Sequence, residues 1–175
     1  DRKTKNQFTN RILSLVLVCV MILGMLPMSS MSVWAASDTP VYAASSYLEG
    51  VYRPAVFANG NDLIIEAGST SGTTSVYYMN GSTKTAVVEN ADLSNAYILA
   101  GYDSNSTSMS DNVTITMYGG RVNRIYTGHR YSGTVKGNVT VIMMEGANVQ
   151  LVVPSSVDGN TTISGKLRIF AANGL

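Results

Sequence analysis

The segment Asn112-Val113-Thr114-Ile115-Thr116-Met117-Tyr118-Gly119-Gly120-Arg121-Val122-Asn123-Arg124-Ile125-Tyr126-Thr127-Gly128 is echoed by Asn138-Val139-Thr140-Val141-Ile142-Met143-Met144-Glu145-Gly146-Ala147-Asn148-Val149-Gln150-Leu151-Val152-Val153-Pro154. Asn-Val-Thr opens both, 26 residues apart, and returns weakly as Asn160-Thr161-Thr162 after a further 22. Gly119 and Gly146, Val122 and Val149, and Ile125 and Val152 are each separated by 27. The stretch that opens with Thr85-Ala86-Val87-Val88 and runs to Gly101 fits the same plan with looser spacing, and Asp62-Leu63-Ile64-Ile65-Glu66-Ala67-Gly68 begins a further copy. A unit of 22–29 residues carrying two or three short apolar runs has the size of one coil of a parallel β-helix. One coil cannot bury its apolar face alone. Stacking sets Val113 over Val139 and Val122 over Val149, so like side chains pile into a continuous core. Gly and Asn at the corners tolerate the positive φ of tight bends.

Outward from these units the same texture continues. After residue 45 no window keeps apolar residues at the 3.6-residue helical spacing over three turns. β-Branched and aromatic clusters recur at Leu63–Ile65, Ser75–Met79, Thr85–Val88, Ala96–Leu99, Val113–Met117, Val122–Tyr126, Val139–Met143, Val149–Val153 and Leu167–Phe170, each bounded by turn residues. The class is all-β. The expected architecture is a short parallel β-helix, a solenoid, over 61–175, with a linker or cap at 36–60. A β-sandwich is the alternative, since antiparallel sandwiches also show short strands and regular turns.

The first 35 residues read differently. Arg2, Lys3, Lys5 and Arg11 precede an apolar run from Ile12 to Leu26, which Pro27 and Ser29-Ser30 end. Val33-Trp34-Ala35 then places small residues before a cut between Ala35 and Ala36, and Val41-Tyr42-Ala43 offers a second site. This order is that of a secretory signal peptide, helical in its apolar part and removed after export. The run of about 15 residues falls short of the ~20 that span a bilayer, so an uncleaved anchor is the lesser reading. The only cysteine, Cys19, lies inside it, so no disulfide staples the remainder. With the four bases and one acid of this segment set aside, eight bases and ten acids remain. Such a charge-poor domain lacks the basic surface that nucleic-acid binding requires. The chain opens on Asp1 and stops just after Asn173-Gly174, which suggests a fragment truncated at its C-terminal side. A secreted, Asn/Ser/Thr/Gly-rich composition without cysteine suggests a Gram-positive surface protein.

Asn112-Val-Thr-Ile-Thr-Met-Tyr-Gly-Gly-Arg-Val, then Ile125-Tyr-Thr-Gly, then Tyr131-Ser-Gly-Thr-Val-Lys-Gly-Asn-Val-Thr140 resemble the repeats of large Gram-positive, adhesin-like surface proteins. Those repeats carry runs of the type N-V-T-I-x-G-G-x-V, x-V-Y-G-G-G and G-T-V-x-G-N. The resemblance covers roughly residues 85–170 and is best over 111–141. It implies a right-handed parallel β-helix of the pectate-lyase-like shape and a structural or adhesive role at the cell surface. The second unit departs from the pattern, with Glu145-Gly146 in place of the double glycine and Pro154 at the second glycine cluster.

Signals for catalysis are thin. His129 is the only histidine, so a zinc site is not expected, and no G-x-S-x-G elbow supplies a nucleophile for a triad. His129 reads as an exposed loop residue. Glu89, Asp92, Asp103, Asp111, Glu145 and Asp158 form no D-x-D or D-D pair, and they read as corner and surface carboxylates. No cofactor or metal is expected, and the chain is read as a non-enzyme. A polysaccharide lyase or glycoside hydrolase of the β-helix type is the alternative. The one local concentration is Arg121, Arg124, Tyr126, His129, Arg130 and Tyr131, with Lys136 beyond. Arginine offers a bidentate fork for carboxylates, and tyrosine faces stack on sugar rings, so these residues are the candidates for holding a cell-wall or host polysaccharide. Asn-x-Ser/Thr triplets at Asn112, Asn138 and Asn160 open repeat units and are better explained by coil corners than by glycosylation.

Overall fold

The structure, a computed structural model, describes residues 39–172 apart from 105 and 106. The expected signal segment over residues 1–35 and its cut between Ala35 and Ala36 lie outside the described residues. Among those described there are fourteen strands and no helix, and all nine clusters picked from the sequence fall on strands.

Three sheets carry the strands. One contains β1 (Val41–Leu48), β2 (Val51–Phe57), β6 (Tyr97–Leu99), β9 (Gly120–Tyr126) and β12 (Ala147–Val153), in that order. The second contains β14 (Leu167–Ala171), β11 (Val139–Met143), β8 (Val113–Met117), β3 (Leu63–Ala67), β4 (Thr74–Asn80) and β5 (Thr83–Ala91). The third is short: β13 (Thr161–Ile163), β10 (Gly133–Val135) and β7 (Thr107–Met109). From β6 onward the chain visits the sheets in rotation, and every pairing among these later strands is parallel. Val113 lies beside Val139 and Val139 beside Leu167, while Ile115, Val141 and Ile169 form a second row. Val122 pairs with Val149, Ile98 with Ile125 and Ile125 with Val152. Met109, Val135 and Ile163 align in the short sheet.

These rows make the main core. Leu63, Ile65, Ile98, Met109, Val113, Ile115, Val122, Ile125, Val135 and Val141 are all essentially inaccessible to solvent. Each buried aliphatic side chain of this size contributes about 1.5–3 kcal/mol. The corners are fixed by asparagine. The Asn138 N–H donates to Asn112 Oδ1 at 2.8 Å, and the Lys166 N–H donates to Asn138 Oδ1 at 2.9 Å. Thus the recurring Asn-Val-Thr is a side-chain ladder that satisfies the backbone where each strand begins. Just before it the backbones crowd together: a Cβ added to Gly137 would sit 1.8 Å from the Asp111 carbonyl oxygen, so only glycine fits.

The early strands depart from the expected uniform stack. The sheets are mixed, their arrangement is more sandwich-like, and no solenoid is shown. β1–β2, β3–β4 and β4–β5 are antiparallel, and the expected linker at 36–60 contains the β1–β2 hairpin. Thr85–Val88 does not open a coil. It belongs to β5, the outermost strand of its sheet, and on that side of β8 the parallel neighbour is β3, with Leu63 beside Ile115. The cause is Asn80-Gly81, where Gly81 has a φ of +63° and the chain doubles back between β4 and β5. The sheet holding β6 is apolar on both faces. Ile98 faces the main core, whereas Tyr97 and Leu99 join Leu48, Ala55, Phe57 and Tyr126 in a second apolar cluster. A strand buried on both faces reads as an uninterrupted apolar run, as Tyr97-Ile98-Leu99 does.

Candidate functional site

The tip of the β1–β2 hairpin is Glu49-Gly50, with φ of +51° and +79°. Two positive φ values in a two-residue hairpin loop favour Asn or Gly at the first position, as Asn59-Gly60 illustrates at +51° and +80° elsewhere in this chain. Glutamate at this position costs backbone energy, and its carboxylate supplies the compensation. Tyr97 and Arg124 are neighbours across the β6–β9 pair, and Tyr126 lies two residues on, its ring centroid 5.1 Å from that of Tyr97. All three converge on Glu49. The Tyr126 hydroxyl donates to Oε1 at 2.5 Å, the Tyr97 hydroxyl donates to Oε2, and Arg124 Nη1 donates to both oxygens at 2.8 and 2.9 Å. Arg124 also donates to the Tyr126 hydroxyl oxygen at 3.0 Å, and the Arg53 guanidinium lies 4.3 Å above the Tyr97 ring.

The electrostatics are set by that crowding. Burial pushes the Glu49 carboxyl upward, but the Tyr126 and Tyr97 hydroxyls and the charges of Arg124 and Arg53 outweigh it, and the net position is below the ordinary value. Burial, and next the hydrogen bond to Glu49, raises both the Tyr97 and Tyr126 phenols. The carboxylate stays ionised and both phenols stay protonated at neutral pH. With both oxygens engaged, Glu49 is a latch and has no lone pair free for a substrate proton.

A second clamp backs the first. The Glu49 N–H donates to Asp158 Oδ1 at 2.9 Å. Arg130 donates to Asp103 Oδ1 at 2.8 Å and to the Tyr47 carbonyl at 2.7 Å, and its guanidinium lies 4.8 Å over the Tyr131 ring. The hairpin tip is therefore bound to β6, to β9 and to the loop after β12.

Of the six residues picked from the sequence, Arg124 and Tyr126 belong to the latch, and Arg130 with Tyr131 belongs to the second clamp. Tyr126 is buried in the second apolar cluster, its ring packed against protein. Arg121 stands outside both networks and lines a cleft of about 440 Å³ with Asp92, Ser94 and Thr73. The exposed loop histidine is corrected: His129 is fully buried. Its Nδ1 accepts the Tyr102 N–H at 3.2 Å, so the proton sits on Nε2, which lies 3.4 Å from the Thr134 carbonyl oxygen. The ring stacks on Tyr102 at 5.7 Å, and burial lowers its pKa, only partly offset by the Thr134 contact. Glu49, Tyr97 and Arg53 were missed. The available signal was the hairpin pattern of two alternating runs around Glu49-Gly50, with an acid where Asn is the norm.

The remaining carboxylates are mostly committed. Asp62 accepts the Thr114 N–H, Glu66 pairs with Lys84, Glu89 accepts the Tyr77 hydroxyl and Asp92 caps Ser94. Among the described residues no group of three or more His, Cys, Asp or Glu is placed to hold a metal ion. Comparison with protein-family models, with curated proteins and with solved structures finds no match to this chain.

Proposed function

We propose that the chain is an exported, cell-surface scaffold module of the adhesin-like kind. In this reading residues 1–35 direct secretion and are cut away between Ala35 and Ala36. The region from about residue 96 is a short right-handed parallel β-helix that works as a stiff support, presenting loops to a cell-wall or host polysaccharide. The observation that carries the reading is the in-register parallel stacking of like residues: Val113–Val139–Leu167, Ile115–Val141–Ile169 and Met109–Val135–Ile163. Hydrogen bonds that run between successive rungs resist bending of the stack, which suits a spacer. The commitment of most carboxylates to structural partners supports a mechanical role over a hydrolytic or lyase one. Expression of the gene from its own start in a Gram-positive host tests the proposal. The recovered protein is expected to begin at Ala36 and to be cut by protease added to intact cells. Retention inside the cell with residues 1–35 still attached overturns it.

A further inference from the structure

The buried ring of His129 stands at the head of a chain of contacts that ends on the β1–β2 hairpin. Its Nδ1 accepts the Tyr102 N–H, and its own carbonyl accepts the Val157 N–H at 3.2 Å. Next in sequence, the Arg130 N–H donates to the Tyr102 carbonyl at 2.9 Å, and the Arg130 carbonyl accepts the Asp158 N–H at 2.7 Å. Asp158 in turn accepts the Glu49 N–H, while the Arg130 guanidinium holds Asp103 and the Tyr47 carbonyl. One imidazole therefore ties together the loop after β6, the loop after β12 and the hairpin tip. The packing is close, since a Cβ added to Gly101 would lie 2.4 Å from Nδ1. A proton on Nδ1 turns this acceptor into a donor that faces the Tyr102 N–H. It also leaves a buried cation with no carboxylate to meet it. Arg130 adds like charge, Asp103 and Asp158 are both turned toward Arg130, and Asp111 borders Gly60 beside the Tyr102 hydroxyl. From β10 comes only the Thr134 carbonyl, with Lys136 exposed beyond it. Thr127 Oγ1 and Arg130 Nε are buried without a hydrogen-bond partner among the described residues, and opening would give both to water.

We propose that His129 is an acid-operated release for the second clamp: protonation of Nδ1 expels the Tyr102 N–H, and the loops after β6 and β12 let go of the hairpin tip. The Tyr47 carbonyl and the Glu49 N–H are detached in this step, while Tyr97, Tyr126 and Arg124 still hold the Glu49 carboxylate. That carboxylate stays ionised to below its ordinary range, so it yields only in stronger acid. Acid thus loosens the hairpin in two steps, the His129 corner first and the latch second. Burial makes the closed form resist the proton, and the open form, with an imidazole near its ordinary value of about 6.5, takes it up. Opening is therefore favoured as pH falls below about 6.5, by at most about tenfold per pH unit for one proton. The device uses contacts within the fold alone and does not depend on the scaffold reading.

Residue-resolved hydrogen exchange of the full chain in mild non-ionic detergent tests it, with protection factors corrected for the intrinsic pH dependence of exchange. Between pH 7.5 and 5.5 the Tyr102, Arg130, Val157 and Asp158 amides are expected to lose about tenfold in protection, the linkage of one proton. The amides of β8 are expected to keep theirs, so the loss is local. His129→Gln offers Tyr102 an acceptor that does not titrate, and it is expected to abolish the pH dependence of those four amides. Should that variant fail to fold, the wild-type contrast between the corner and β8 decides alone. Unchanged protection at the corner, an equal loss in β8, or a pH response that survives in His129→Gln each overturns the proposal. An exported protein without this response keeps the scaffold reading and loses the release, and a retained protein that shows it does the reverse.

Discussion

Glu49→Gln keeps the shape of the latch and removes its charge. Three donors, Tyr97, Tyr126 and Arg124, now meet a carboxylate. Charge-assisted hydrogen bonds contribute about 1.5–3 kcal/mol each, against about 0.5–1.5 for neutral ones, so the exchange loses about 1 kcal/mol per donor. Glutamine also points an N–H₂ at one of those donors. The Glu49 and Arg124 side chains are 31% and 33% exposed, so solvent screening removes about half of the total and leaves about 1.5–2 kcal/mol. For a domain of this size each kcal/mol moves Tm by about 3–4 °C, so a loss of about 5–8 °C is expected by circular dichroism. Hydrogen exchange of the hairpin amides should accelerate alongside. The sign with pH is fixed by the lowered pKa. Stability from the latch is fully present above the unfolded carboxyl value and is lost as acid carries the protein down through the lower folded one, so the wild type and the variant converge only in acid below both. Glu49→Asn separates latch from turn, because Asn suits the positive φ and gains backbone energy there. A Glu49→Gln protein that melts within 1 °C of wild type, or a Glu49→Asn protein that melts higher, refutes the latch.

Two further outcomes are expected. His129 is buried with a lowered pKa, so the unfolded chain takes up its proton first; stability should hold above about pH 6.5, fall as pH drops below it, and lose that slope in His129→Phe, read from melts across pH 5–8. Ile115 and Ile169 occupy one row, but the first is fully buried and the second 47% exposed; urea titration should give a cost of about 3 kcal/mol for Ile115→Ala and under about 1.5 for Ile169→Ala, and equal costs would contradict the layered core.

The part of this fold that is legible in the sequence is local and periodic. The recurrence of Val113 at Val139 and of Val122 at Val149 translates into neighbouring strands because identical spacing returns the chain to the same sheet. The repeated Asn112 and Asn138 translate into a ladder for the same reason. Direction is harder to read. Thr85–Val88 has the composition of a coil strand, and only Asn80-Gly81 ahead of it indicates reversal. The latch is harder still: Glu49 reaches Tyr97, Arg124 and Tyr126 across 48, 75 and 77 residues, and no periodicity links a hairpin tip to strands so distant. His129 misleads for a related reason. A lone imidazole between glycine and arginine resembles a solvated turn, until Tyr102 and Thr134, neighbours in space, close over it.

The open margins of the three sheets set where the fold loosens first. Among the described residues β12, β13 and β14 have a strand on one side only, and Leu151, Ile169 and Phe170 stand half open there. At the opposite margins β1 and β5 are also edge strands, each paired antiparallel to a single neighbour. Strands paired on one side only and largely open to solvent loosen before strands that are paired on both sides and buried. Warming should therefore open β14 before β8, with deuterium uptake rising in β14 while the alternately buried β8 stays protected.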